Sequence, residues 1–370
     1  LLAENNFPMV NSGRAETARA LVAMFPPEIV ADHQPFAVAA AGINAMTGYP
    51  EAAQRWLAAA EKATHEGPRP DGMANTRSSI GLVRGSLAPN GVDAALADGR
   101  MAFELEPRGS ETWTLAALLV GRSLVMRGDV DESTEFFEDV ARGEWTNIRA
   151  YALAELSLGQ LGRGDAERAL ATANVASKLM HEAGGDDLFI AATAHAATAL
   201  AAIDLGDERA ARVALRAAHR PMAAGGQAMP MDATHTRLLL ARAALALGDS
   251  EIARGYLRDA QAVIDSISDV GVMREQHAEL MVQLDALQPG ADGAGDEEFT
   301  ERELEVLAML PSPLTTQEIG EELFVSRNTI KTHLRRIYRK LNASSREEAV
   351  LIARDRGLIR ASSDREPSSG

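Results

Sequence analysis

Along residues 1–288 the apolar positions recur at helical period, in blocks separated by short polar breaks. The breaks follow a rule. A Gly, once an Asn, ends one helix, a polar residue follows in most cases, and a small residue comes five positions later. The anchors are Gly13, Gly48, Asn90, Gly128, Gly164, Gly206 and Gly248, spaced by 35, 42, 38, 36, 42 and 42 residues. The residues five further on are Ala18, Ala53, Ala95, Ser133, Ala169, Ala211 and Ala253. The pattern predicts an antiparallel helix pair per unit. The anchor takes the left-handed conformation that stops a helix. Asp129, Asp165, Asp207 and Asp249 cap the next helix, and the small residue lets the pair approach closely. Pairs of this kind bury one another's faces only by stacking, which makes a superhelix. The periods exceed 34 residues, so the array is TPR-like rather than a strict tetratricopeptide repeat.

A different pattern occupies Phe299–Arg360. On a helix from Ser326 to Leu341, Ile330, Leu334, Ile337 and Leu341 fall on one narrow stripe. Asn328, Lys331, Thr332, Arg335, Arg336 and Arg339 fall opposite. The same stretch holds six Lys/Arg and no Asp/Glu. One side can pack in a small domain while the other enters a DNA groove. Helix starts are marked around it: Thr300 with Glu303, Thr315 with Glu318, and Ser345 with Glu348 are capping boxes, and Ser326 can cap the basic helix. Only Leu323-Phe324-Val325 separates the second helix from the third, which reads as helix-turn-helix.

Thr300…Glu303, Glu318-Ile319, Ser326, the Thr329-Ile330-Lys331-x-His333 run, Lys340-Leu341 and Arg346…Ala349 stand in the order of the four-helix DNA-binding domain of the LuxR type, which this segment resembles. Three departures, Gly320, Asn342 and Pro311-Ser312-Pro313, fall at packing and turn positions. The resemblance implies that Lys331, Thr332 and Arg335 face base edges, where Lys and Arg donate to guanine and the Thr methyl meets thymine. Thr316, Gln317, Arg327, Asn328, Thr329, His333, Arg336, Arg339 and Lys340 become candidates for phosphate contact, which fixes register without reading sequence. It also implies a homodimer contact through the fourth helix, at Ala349, Ile352 and Ala353, with two half-sites about one helical turn apart.

Phe25–Glu61, with Pro26-Pro27-Glu28 and Arg55-Trp56-Leu57, resembles the start of the repeat domain in MalT-like large ATP-dependent LuxR regulators. In that family an ATPase module precedes the repeats. No G-x-x-x-x-G-K-[ST] occurs here, so no cofactor is expected in this chain, and ATP would belong to a missing N-terminal module. The chain begins with Leu1 and its first unit lacks a first helix, which reads as a piece of something longer.

Composition sharpens this picture. Hydrophobic residues make up 46% and aromatics 4%, so the core is Ala-, Leu- and Val-rich, which favours closely packed helices. Without Cys there are no disulfides or thiolate metal sites, and no long apolar run or signal segment opens the chain; a cytoplasmic protein without membrane contact is expected. Residues 300–360 hold 11 Lys/Arg and 9 Asp/Glu, and the tail 361–370 is −1, so with a total of −16 the first 299 residues carry −17. Any phosphate binding must therefore be local to the basic helix.

Neither catalytic nor metal-binding residues stand out. His195, His219 and His235 are scattered, and no nucleophile–base–orienter set is visible. Trp56, Trp113 and Trp145 read as core. The expectation is an all-α chain: a TPR-like superhelix over 1–288, a flexible linker over 289–298, a LuxR-type domain over 299–360 and a disordered tail over 361–370. Its expected function is bacterial-type transcription regulation and not catalysis. The DNA-binding domain would be controlled by a small-molecule effector or regulatory protein, at array residues that the sequence does not single out. The alternatives are a TPR-like scaffold and the regulatory tail of a larger STAND-type ATPase or kinase.

Overall fold

The computed structural model describes residues 9, 14–225, 229–287, 299–312, 314–323, 330, 333–334, 337–338, 340–341, 343 and 345–359. Every regular element among them is a helix. The chain divides into two compact units, 1–287 and 288–370. The expected linker and tail lie outside the described residues.

In the first unit two short helices, Ala15–Val22 and Pro27–Asp32, lead into six helix pairs. The pairs are Gln34–Met46 with Pro50–Lys62, Thr76–Leu87 with Val92–Leu105, Glu111–Arg127 with Val130–Ala141, Thr146–Gly162 with Ala166–Glu182, Phe189–Asp204 with Glu208–Ala217, and Pro230–Ala246 with Ser250–Ser266. Met273–Leu287 closes the array against the last pair. First helices stack on first helices along much of the array, as in Phe189–Asp204 against Pro230–Ala246.

The repeat rule has a visible physical basis. Gly48, Gly128, Gly164, Gly206 and Gly248 all have φ between 77° and 100°. After all five the next residue's N–H reaches back five positions: Tyr49 to Asn44, Asp129 to Leu124, Asp165 to Gln160, Asp207 to Ala202 and Asp249 to Ala244, at 2.8–3.1 Å. These bonds satisfy carbonyls that the helix end leaves open. Ala18, Ala53, Ala169, Ala211 and Ala253 are fully buried, and Ala95 and Ser133 nearly so. Trp113 is buried, and Trp56 packs against two core clusters.

Two expectations need correction. Asn90 is not the left-handed residue of its turn; Ala88 (φ 45°) and Gly91 (φ 88°) take that role on either side of it. Of the four Asp caps, only Asp165 and Asp207 accept from the backbone, at Arg168 N and Ala210 N. The carboxylates of Asp129 and Asp249 are taken by Arg127 and Arg212. Gly13 lies outside the described residues.

The array also closes on itself, which the repeats do not foretell. Asp269 accepts from Val92 N at 3.2 Å through its carbonyl and from Asp93 N at 2.9 Å through its carboxylate. Val272 N donates to Met126 O at 2.9 Å. The turn before the last helix is thereby tied to the second and third pairs, 176 residues back in the Asp93 case. Gly271 makes this possible. Its φ is 56°, and a Cβ there would lie 2.0 Å from Met126 O. Gly271→Ala should therefore open the closing turn and lower the array's stability by more than the ~1–2 kcal/mol of a left-handed residue alone. A thermal unfolding midpoint unchanged within error would refute that role.

Candidate nucleic-acid interface

The second unit is built from helices Glu301–Met309, Thr316–Glu322 and Arg346–Asp355, with a further helix to which residues 330, 333, 334, 337, 338, 340 and 341 belong. The caps expected at Thr300, Thr315 and Ser345 form, and Ser326 lies outside the described residues. Thr300 and Glu303 bond reciprocally in a capping box. Thr315 N donates to Glu318 Oε2 at 2.7 Å and Glu318 N to Thr315 Oγ1 at 3.3 Å. Ser345 Oγ accepts from Glu348 N at 3.2 Å. These bonds satisfy helix-start donors.

The apolar stripe faces inward. Ile330, Ile337 and Leu341 are buried with Val306, Leu307, Leu310 and Ile319, and Leu334 packs half-buried at their edge. The core therefore fixes which way that helix is turned.

Two polar devices hold this core, and neither shows in any sequence period. Lys340 Nζ donates to Glu303 Oε2 at 2.6 Å, with the side chains only 9% and 2% exposed. The same ammonium lies 5.4 Å from the Phe299 ring, a favourable cation–π distance. Burial pushes the Glu303 carboxyl up, but hydrogen bonds from Lys340 and Thr300 outweigh it and hold it below its ordinary value. Arg346 is the second device. Its guanidinium donates to three carbonyls, Leu310 at 3.0 Å, Ser312 at 2.8 Å and Leu314 at 2.8 Å. It ties the last helix to the loop after the first. Only the fork of an Arg supplies donors in that arrangement.

The expected site residues fall into three groups. Lys331, Thr332, Arg335, Arg327, Asn328, Thr329, Arg336 and Arg339 lie outside the described residues. Thr316 is half-buried at a helix start, Gln317 is exposed beside it, and His333 is half-buried. Lys340 is engaged with Glu303, which leaves its ammonium little surface for a phosphate. On the last helix, Ala349 and Ala353 are fully buried in the domain's own core, so neither side chain can reach a second copy. Ile352 is half-buried, and Leu351, 66% exposed, is the apolar side chain this helix turns outward.

The second unit is thus a small all-helical domain whose third helix is oriented by an apolar stripe and whose ends are closed by caps, an ion pair and an arginine clamp. Residues 297–353 match bacterial regulatory proteins of the luxR family, and this segment is a luxR-family domain. The chain is 48% identical over 63 residues to the uncharacterized transcriptional regulatory protein YxjL of Bacillus subtilis, covering 17% of this chain and 29% of that protein. It is 40% identical over 70 residues to LiaR of the same organism, covering 19% and 33%. It is 44% identical over 55 residues to the regulator MalT of Vibrio campbellii, covering 15% and 6%. The chain spans about a third or less of the length of these relatives. A Rap protein solved with Competence and Sporulation Factor is 11% identical with a TM-score of 0.44, over 78% of this chain and 98% of that one. So distant a likeness adds nothing to the helix pairs described above. Among the described residues no helix is long and apolar enough to cross a membrane.

Breaking the buried pair should loosen the domain. Lys340→Met strands a buried carboxylate and should cost on the order of 3–5 kcal/mol, while the double variant with Glu303→Gln should recover most of it. Hydrogen exchange along Glu301–Met309 reads both. In the wild type the lowered Glu303 value stabilises the fold above the ordinary carboxylate range. That contribution should fade as the pH falls through the lowered value. Unchanged exchange in Lys340→Met would contradict the pair's structural role.

Proposed function

We propose that this chain is part of a bacterial transcription regulator that binds specific duplex DNA through residues 299–360, under control of the helical array. The observation that carries the reading is the inward turn of Ile330, Leu334, Ile337 and Leu341 in a luxR-family domain. A helix turned that way, with six Lys/Arg between Ser326 and Leu341, offers its basic side for a major groove. Lys331, Thr332 and Arg335 are the proposed base readers. Thr316, Gln317, Arg327, Asn328, Thr329, His333, Arg336 and Arg339 are the proposed phosphate contacts. Lys340 is assigned instead to positioning the helix through Glu303. A contact between two copies on DNA would use Leu351 with the edge of Ile352.

The named relatives are regulators, which supports a role in transcription rather than in catalysis. Control follows linkage: a ligand of the array that favours the DNA-competent state tightens DNA, and DNA tightens the ligand by the same factor. No cofactor enters this proposal. The chemistry is that of cytoplasmic gene control.

Duplex affinity of the full chain should fall with salt, with a log–log slope of roughly −0.9 per phosphate neutralised. Lys331→Ala and Arg335→Ala should each lose on the order of 1–3 kcal/mol toward a preferred sequence if they read bases. They should lose little toward random duplex. A chain that binds no duplex at low salt would leave a protein-interaction scaffold as the better account.

A further inference from the structure

The first helices of the third, fourth and sixth pairs meet around a buried group of ionisable side chains. Arg122 of Glu111–Arg127 is paired with Asp232 of Pro230–Ala246, across 110 residues of sequence. His235, one turn along from Asp232, has its Nε2 3.4 Å from Oε1 of Glu155, which belongs to Thr146–Gly162. The Tyr151 hydroxyl, from that same helix, lies 3.4 Å from Asp232 Oδ1. The side chains of His235 and Glu155 are only 9% and 2% exposed, and those of Arg122 and Asp232 are buried too.

Two acids, Glu155 and Asp232, thus face two bases, Arg122 and His235. Their charges sum to zero only while the imidazole carries a proton. A neutral ring would leave one carboxylate buried without a counter-ion, and breaking a buried pair in this way is strongly destabilising. Burial by itself pushes the imidazole down, and Arg242 on the same helix pushes the same way. Attraction to Glu155 and Asp232 outweighs both, so the His235 value lies above its ordinary one. The other helices packed on Pro230–Ala246 carry groups that are engaged elsewhere. Tyr256 and Asp259 interact with Arg237. His277 Nε2 lies 3.0 Å from Leu257 O, and Arg212 pairs with Asp249 at 2.6 Å. Phe189–Asp204 meets the helix through Thr193, whose hydroxyl is 2.9 Å from that of Thr236.

We propose that this group is a proton-operated latch: the three helices pack tightly while a proton is held between His235 and Glu155, and they loosen when that proton leaves. Opening the array returns the imidazole to water and to its ordinary value of about 6.5. The folded value is the higher of the two. The stabilisation is therefore fully present below about 6.5 and is lost as the pH rises through the folded value. Of all side chains, histidine is the one whose ordinary titration lies close enough to neutrality to serve this way. The latch goes beyond the DNA reading and does not rest on it.

The test uses the full chain between about pH 5 and pH 8.5, a range that brackets the ordinary imidazole value. Hydrogen exchange at the amides of residues 151–155 and 232–236, corrected for the intrinsic rate at each pH, gives the local opening constant. In the wild type that constant should be flat below about 6.5 and rise severalfold above it, with about tenfold per pH unit as the limit for one proton. Glu155→Gln removes one of the two negative charges, so burial wins and the ring is neutral in the fold. Its opening constant should fall as the pH rises toward about 6.5 and stay flat above, a reversed sign that lost packing alone would not produce. The double variant Glu155→Gln with His235→Gln should show neither change. His195, which burial holds below its ordinary value, works in the opposite sense to His235, and the double variant subtracts it. The His235 ring, assigned by NMR through its own backbone amide, needs no variant at all and should titrate above about 6.5 in the wild type. A ring midpoint at or below that value would overturn the proposal. So would a wild-type opening constant that stays flat or falls, or an equal rise in the double variant.

Discussion

Close approach between helices is the constraint on which the array depends. With aromatics at 4% of the chain, few large side chains are available to fill wide gaps. Stability must come from many small buried surfaces, so helix axes must lie near one another. The small residue five places after each turn is what allows this, and all seven such positions are buried. The left-handed glycines then return the chain into contact at a fixed point of each unit. A wider residue at any of these sites would overpack a crossing whose neighbours on both sides are equally tight.

Stacked units alone give an open spiral, and this array gains a further property from its closing turn. Asp269, Gly271 and Val272 tie the far end back to the second and third pairs. Elsewhere in the array Arg122, Tyr151 and Asp232 come together from three helices in a buried cluster. A buried ion pair adds little net stability, because desolvation offsets the attraction. It does define which helices must meet, and here it leaves one donor unused. Burial outweighs the nearby Arg122 charge and pushes the Asp232 carboxyl above its ordinary value. The Tyr151 hydroxyl is pushed up as well, chiefly by burial, so it stays protonated and able to donate.

Local signals make the repeats and the small domain legible in the sequence. Turn glycines, the alanine offset, the capping boxes and the stripe Ile330–Leu341 all express themselves within a few residues of one another. Contacts between distant positions were not readable. Nothing in the local sequence pairs Glu303 with Lys340, sets Arg346 against three loop carbonyls, or joins Asp93 to Asp269. The same blindness affected the last helix. Ala349 and Ala353 looked like a contact for a second copy, but their small size serves packing inside the domain. Two of the four Asp caps failed for a related reason. An Arg from the neighbouring turn or helix competes for the carboxylate, and a charge-assisted bond beats a single backbone N–H.

Everything proposed for this chain's function turns on whether the third helix of the luxR-family domain reads duplex DNA. Selection of bound duplexes from a random pool by the full chain tests it most directly. Convergence on one short sequence is expected, and on two copies of it about a helical turn apart if the domain acts as a dimer. A pool that gains duplex binders without any shared sequence, or gains none, would contradict it.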